Sequence, residues 1–187
     1  NYLVFGKGLG SLQSKKNLEL NFGNSGTLAR LLIGILSTTP NIELKIKGDY
    51  SLNKRSMKKL ILLMSKFGAT FSPKNKYNFP LKIISSELPV GINYTAEVSA
   101  QLKSAVILAG LNSYGDTNIL EKDKSRDHTE NMLLQNKKII KIINGEKKLI
   151  KIHGKKVLNP IKITVPGDPS SAAFFVALTL LKEKSFL

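Results

Sequence analysis

The sequence has no cysteine and no tryptophan, and histidine occurs only twice. Without cysteine this segment can hold no disulfide framework, no thiolate zinc site and no thiol nucleophile, and the absence suits a cytoplasmic location. His128 and His153 stand too far apart in the chain for a metal-ligand spacing. Apolar runs such as Ala172–Leu181 fall short of the roughly 20 residues of a membrane span and lie beside charge. No secretory leader pattern is visible. Acidic residues are scarce, 13 against 29 Lys and Arg, for a net charge of +16. Such a field attracts nucleic acid, acidic membrane or phosphorylated metabolites. Aromatics reach only 7% and do not alternate with basic residues, which argues against a base-stacking nucleic-acid surface. Drift toward Lys, Asn and Ile also raises the charge, and Lys137-Lys138 and Lys147-Lys148 read as solvated strand ends. The chain starts at Asn1 and stops at Leu187 after a helix-like run, and both ends read as cut from a longer protein.

What is present is an internal repeat. After Gly23-Asn24-Ser25-Gly26-Thr27, apolar residues at Leu28, Leu31, Leu32 and Ile35 follow a helical period. Ile42, Leu44 and Ile46 alternate as in a strand. A loop at Gly48–Ser51 leads to a helix bearing Met57, Leu60, Ile61 and Met64, with Gly68 placed to end it. Strands Thr70–Ser72 and Leu81–Ile84 close the unit around a turn at Pro73–Asn78. The same order recurs as helix Ser99–Leu111, strand Thr117–Glu121, loop Lys122–Arg126 and helix Asp127–Leu134. Strands near Ile139–Ile143 and Leu149–His153 then flank Asn144-Gly145, a hairpin signal. A third unit opens at Val165-Pro166-Gly167-Asp168, with a helix from Pro169. With a strand before each first helix the repeat is βαβαββ, so the class is α/β (α+β), and such units bury their apolar faces only by packing together.

Loop-to-helix junctions carry the chemistry. Gly23–Arg30, Gly48–Arg55, Ser99–Ala105 and Ser125–Glu130 each place small, hydroxyl or basic residues there. Helix N-termini offer free N–H groups and partial positive charge, a setting for phosphates and carboxylates. Each junction also has a plainer reading. Asn24, Ser25, Thr27, Ser99 and Asp168 suit helix caps, Gln101 a solvated helix position, Arg55 and Arg126 an ordinary surface. Asp127 and Glu130 have capping-box spacing, and His128 suits a structural role.

Taken in order, the blocks Gly23–Thr27, Gly48–Met57, Ser99–Ala105, Arg126–Glu130 and Val165–Ala172 resemble the signatures of the enolpyruvylshikimate-phosphate synthase family over essentially the whole chain. One departure is Ser56, where the family has Pro, which would loosen the loop carrying Arg55. The resemblance implies a two-domain parent of βαβαββ units. Residues 1–164 would hold two units of one domain, and 165–187 would cross into the start of the second. It implies transfer of the enolpyruvyl group of phosphoenolpyruvate to the 5-hydroxyl of shikimate 3-phosphate, by addition and then elimination of phosphate. No metal or organic cofactor, nucleic acid or membrane partner is implied, and the protein is expected to be a cytoplasmic monomer. Carried over, Ser99, Ala100, Gln101, Ser125 and Arg126 would bind shikimate 3-phosphate. Asn24, Gly26, Thr27, Arg55 and Gln101 would form the phosphoenolpyruvate pocket, with Gly26 predicting sensitivity to glyphosate. The family's proton-transfer residues fall outside this segment, so the chain alone is expected to be inactive. Competing readings are the sister transferase acting on UDP-N-acetylglucosamine, disfavoured by the shikimate-type blocks, a basic nucleic-acid module, and a scaffold without catalysis.

Overall fold

The computed structural model describes residues 3–15 and 17–182. Alternation at Ile42, Leu44 and Ile46 sends all three side chains into the core, and the stretch forms β2 (Glu43–Lys47) alongside β1 (Glu19–Asn21). The two are parallel, which demands a crossover, and α1 (Gly26–Thr38) supplies it. Then come α2 (Tyr50–Lys54), α3 (Lys58–Lys66), β3 (Thr70–Ser72) and β4 (Leu81–Ile84). β4 pairs antiparallel with both β2 and β3, giving the order β1-β2-β4-β3. The second unit contains β5 (Asn93–Ala96), α4 (Ala100–Leu111), β6 (Asp116–Glu121), α5 (His128–Leu133), β7 (Ile140–Ile143) and β8 (Lys148–His153). Its order, β5-β6-β8-β7, with only β5 and β6 parallel, reproduces the first. The repeat read from periodicity is therefore a repeat of topology.

The two units share one core across α1 and α4. α4 buries residues around most of its circumference, as a helix in a protein interior does. A Cβ on Gly34 would lie 2.6 Å from Ala105 O, so the backbones touch there. Thr27 meets Gln101 and Thr38 meets Asn112, so the helices run side by side in the same direction. Each fully buried side chain in this seam, such as Ile33 or Ile107, contributes about 1.5–3 kcal/mol before chain entropy is charged.

Several local expectations need correction. Tyr50 and Ser51 are helical rather than loop, because Asp49 Oδ1 accepts from Leu52 N at 2.8 Å and starts α2 early. The hairpin at Asn144-Gly145 exists, but Ile143 pairs with Leu149 and neither turn residue has positive φ, so it is a wide loop and not a type I′ turn. The capping box at Asp127 and Glu130 does not form: Asp127 makes no cap bond, and Glu130 is buried against Lys103. Ser56 lies just before Met57, the N-cap of α3, and its Oγ accepts from Lys58 N at 3.3 Å. It thus offers an acceptor that Pro would lack. Lys148 is no solvated strand end; it leans toward Glu121 and Glu130. α6 (Pro169–Leu181) begins as expected, with Asp168 accepting from Ser170 N at 2.9 Å. None of its residues is buried.

Candidate active site

The site grows from the first turns of α1 and α4. Ser25 caps α1, accepting from Leu28 N at 3.1 Å. Ser99 caps α4 with a longer bond, 3.4 Å, from Leu102 N, so both serve as the plainer reading expected. Gln101 is not merely solvated. Its Nε2 donates to Thr27 Oγ1 at 2.7 Å, and its Oε1 accepts from Arg30 Nη1 at 2.9 Å. One amide thus ties the two repeats together at their helix N-termini.

Arg30 also donates to Gly26 O at 3.0 Å, which folds its guanidinium back over the start of α1. A Cβ on Gly26 would lie 2.8 Å from Arg30 Nη1 and 3.4 Å from Arg55 Nη1. The two guanidiniums therefore flank one point, and only glycine leaves it open. Burial lowers the Arg30 pKa, and the like charge of Arg55 lowers it further, so a bound anion there would relieve repulsion between the two. Arg55 reaches this point as the C-cap of α2. The start of α2 is fixed by Asp49, to which Asn24 Nδ2 donates at 2.6 Å. The Leu52 amide first, and Asn24 next, hold the Asp49 carboxyl below its ordinary range. Asn24 thus braces the loop carrying Arg55.

Ser125 and Arg126 lie in the loop between β6 and α5. Ser125 N and Oγ both donate to Glu121 Oε1, at 3.0 and 2.7 Å. Arg126 is exposed. Glu121 in turn meets Lys103 Nζ at 2.7 Å, one turn along α4 from Ser99, and Ser104 Oγ lies 2.8 Å from Thr129 Oγ1. The loop is thereby held beside the start of α4. Gly26, Thr27, Arg30, Arg55 and Gln101 converge directly, whereas Ser125 joins Ser99, Ala100 and Gln101 through Lys103. A hollow of about 530 Å³ is lined by Lys54, Ser56, Lys74, Asn75, Lys76, Tyr77 and Asn78. No candidate residue lines it. Among the described residues no three His, Asp or Glu side chains gather as a metal would require.

Two features were not singled out in the sequence. Arg30 closes the Gly23–Arg30 block, and its spacing of four from Gly26 puts it over the helix start. Lys103 was visible as the one charge in an apolar helix, but its partners were not.

Paired βαβαββ units whose parallel helices bring Arg30 and Gln101 together, with Arg55 added from the end of α2, define an α/β repeat protein with a cationic face. A family model described as EPSP synthase (3-phosphoshikimate 1-carboxyvinyltransferase) matches residues 2–186. The chain is 43% identical over 185 residues to a 3-phosphoshikimate 1-carboxyvinyltransferase of Parvibaculum lavamentivorans, covering 97% of this chain and 41% of that one. It is 42% identical over 187 residues to the protein of the same name from Novosphingobium aromaticivorans, covering 98% and 42%. Among solved structures, EPSP synthase from Acinetobacter baumannii superposes with a TM-score of 0.74 at 37% identity, over 89% of this chain and 37% of that one. The chain belongs to the EPSP synthase family, and it spans about two fifths of the length of these relatives.

Proposed function

We propose that this chain is part of an enzyme that moves the enolpyruvyl group of phosphoenolpyruvate to the 5-hydroxyl of shikimate 3-phosphate, with release of phosphate. The observation that carries the reading is the junction Thr27–Gln101–Arg30, which joins the two candidate substrate regions through one side chain. The 5-hydroxyl gives up its proton as its oxygen attacks C2 of the enol and C3 takes a proton; phosphate then leaves C2 as C3 gives up a proton, which restores the C=C bond. Both substrates are anionic, so bringing them together demands fixed cations and N–H groups. Arg30 and Arg55 would hold phosphoenolpyruvate beside Gly26 and Thr27, with Asn24 bracing Arg55. Ser99, Ala100, Gln101, Ser125 and Arg126 would hold shikimate 3-phosphate. The groups that move protons belong, by family resemblance, to parts of the enzyme outside this segment.

Residues 1–164 are assigned to one domain and 165–187 to the entry into a second, and the enzyme is proposed to act as a cytoplasmic monomer. Among the described residues no helix is long and apolar enough to cross a membrane. Calorimetric titration with shikimate 3-phosphate, against shikimate, inorganic phosphate and a DNA duplex, tests the reading. Selective binding of shikimate 3-phosphate, lost in Ser99→Ala or Arg126→Ala, is expected. Salt-sensitive DNA binding without that selectivity would transfer the case to a nucleic-acid module.

A further inference from the structure

Charged side chains are rarely buried without a reason, yet Lys103, Glu121 and Glu130 are all at most 3% exposed. Lys103 Nζ stands 2.7 Å from Glu121 Oε1 and 2.7 Å from Glu130 Oε1. Lys148 Nζ approaches at 3.7 Å from Glu121 Oε2 and 3.8 Å from Glu130 Oε1. Glu130, wholly buried, serves as a counter-charge to Lys103. Hydrogen bonds from Lys103 and from Ser125 converge on Glu121 Oε1.

A buried ion pair is a poor source of stability, since apolar residues of the same volume often do as well. What apolar residues cannot do is hold a polar loop. Among the described residues, the hydrogen bonds of residues 122–126 run to Glu121 alone, from Ser125 N and Ser125 Oγ. The same oxygen takes Lys103 Nζ, which belongs to the helix that starts at Ser99.

We propose that Glu121 is a positioning residue for shikimate 3-phosphate, setting the Ser125–Arg126 loop in register with the first turn of α4; this rests on the function proposed above. The double grip matters for a phosphate ligand. A phosphate can take the Ser125 hydroxyl only by breaking the Oγ–Glu121 bond, and the Ser125 N–Glu121 bond then still holds the loop. Lys103 and Lys148 match the two carboxylates, so the cluster places no net negative charge behind the anion.

The test is steady-state kinetics on the full-length enzyme. Glu121→Ala is expected to raise the KM for shikimate 3-phosphate by about tenfold while moving that for phosphoenolpyruvate less than about twofold. Glu121→Gln, whose amide oxygen still accepts the Ser125 N–H, is expected to recover most of the loss. A purely structural role would lower Tm and leave both KM values of the folded enzyme alone, and that result, or equal rises in both, overturns the proposal. If Glu121→Ala does not fold, the comparison passes to Lys103→Met/Glu121→Gln against Lys103→Met/Glu121→Leu. These are matched in charge and differ in the acceptor, and equal KM values for shikimate 3-phosphate overturn the proposal. Wild-type enzyme that fails to use shikimate 3-phosphate would overturn the functional reading and this inference together; a wild type that uses it beside an unchanged Glu121→Ala would overturn only the inference.

Discussion

Gly26 and Arg30 occupy each other's space. The atom that a Gly26→Ala change adds would fall 2.8 Å from Arg30 Nη1, the end of a side chain held by Gly26 O and Gln101, rather than against backbone. The fold should therefore tolerate the change, because the contact is with a side-chain end rather than with backbone. The guanidinium must move, and with it the anion cradle. The expected result is a KM for phosphoenolpyruvate raised about fivefold or more, with shikimate 3-phosphate little affected and weaker inhibition by glyphosate, checked by steady-state kinetics of the full-length enzyme. Arg30→Lys keeps the charge but loses the planar fork that reaches Gly26 O and Gln101 at once. A loss of about tenfold in kcat/KM for phosphoenolpyruvate is expected from the same assay.

The contact between α1 and α4 is the element on which the site depends. Gly34 meets backbone, not a flexible side chain: its Cβ would lie 2.6 Å from Ala105 O. Gly34→Ala must push the helices apart, at a cost of about 1–3 kcal/mol in urea unfolding, and the Thr27–Gln101–Arg30 junction should open with them. The lock between α4 and β6 predicts a pH dependence. Burial raises the Glu121 pKa, but hydrogen bonds from Lys103 and Ser125 outweigh it, leaving the group below its ordinary 4.5. A depressed carboxylate contributes stability above its unfolded pKa and loses it as pH falls through the folded value. Stability should therefore fall below about pH 4.5, and Glu121→Gln should flatten that limb of an acid titration followed by urea midpoints. For Lys103 burial lowers the pKa, and contact with the two carboxylates more than restores it, to above the ordinary 10.5. Its contribution is complete below that value and is lost only as pH rises through the higher folded one.

At the scale of the molecule, two repeats form a closed core while α6 remains uncovered. Phe174 is 79% exposed and Leu181 86%, although a helix this apolar on every side belongs in an interior. The 187-residue chain on its own should bind an environment-sensitive apolar dye and self-associate, as large exposed patches do. Phe174→Ser with Phe175→Ser should reduce both effects in dye fluorescence and sedimentation without changing the far-ultraviolet dichroism. The net charge of +16 favours anions over the whole surface, and in the proposed site Arg30 and Arg55 meet beside Gly26.

Much of this protein was legible in the chain because the signals were local. Period-two alternation at Ile42–Ile46, the small residues before α1 and α4, and Gly68 with φ +96° at the end of α3 act over one or two turns, and a sequence displays such distances directly. Helix caps were likewise visible at Ser25, Ser99 and Asp168. Where local signals competed, as at Asp127 and Glu130, the pattern pointed to a capping box; the tertiary structure instead spent Glu130 on a lysine from another helix. The pairing of Gln101 with Thr27, across 74 residues, and the meeting of Lys103 with Glu121 depend on which helices pack and in what register. That is decided by the fit of Gly34 against Ala105 and by the shared core, and those contacts exist only once both repeats have folded onto each other.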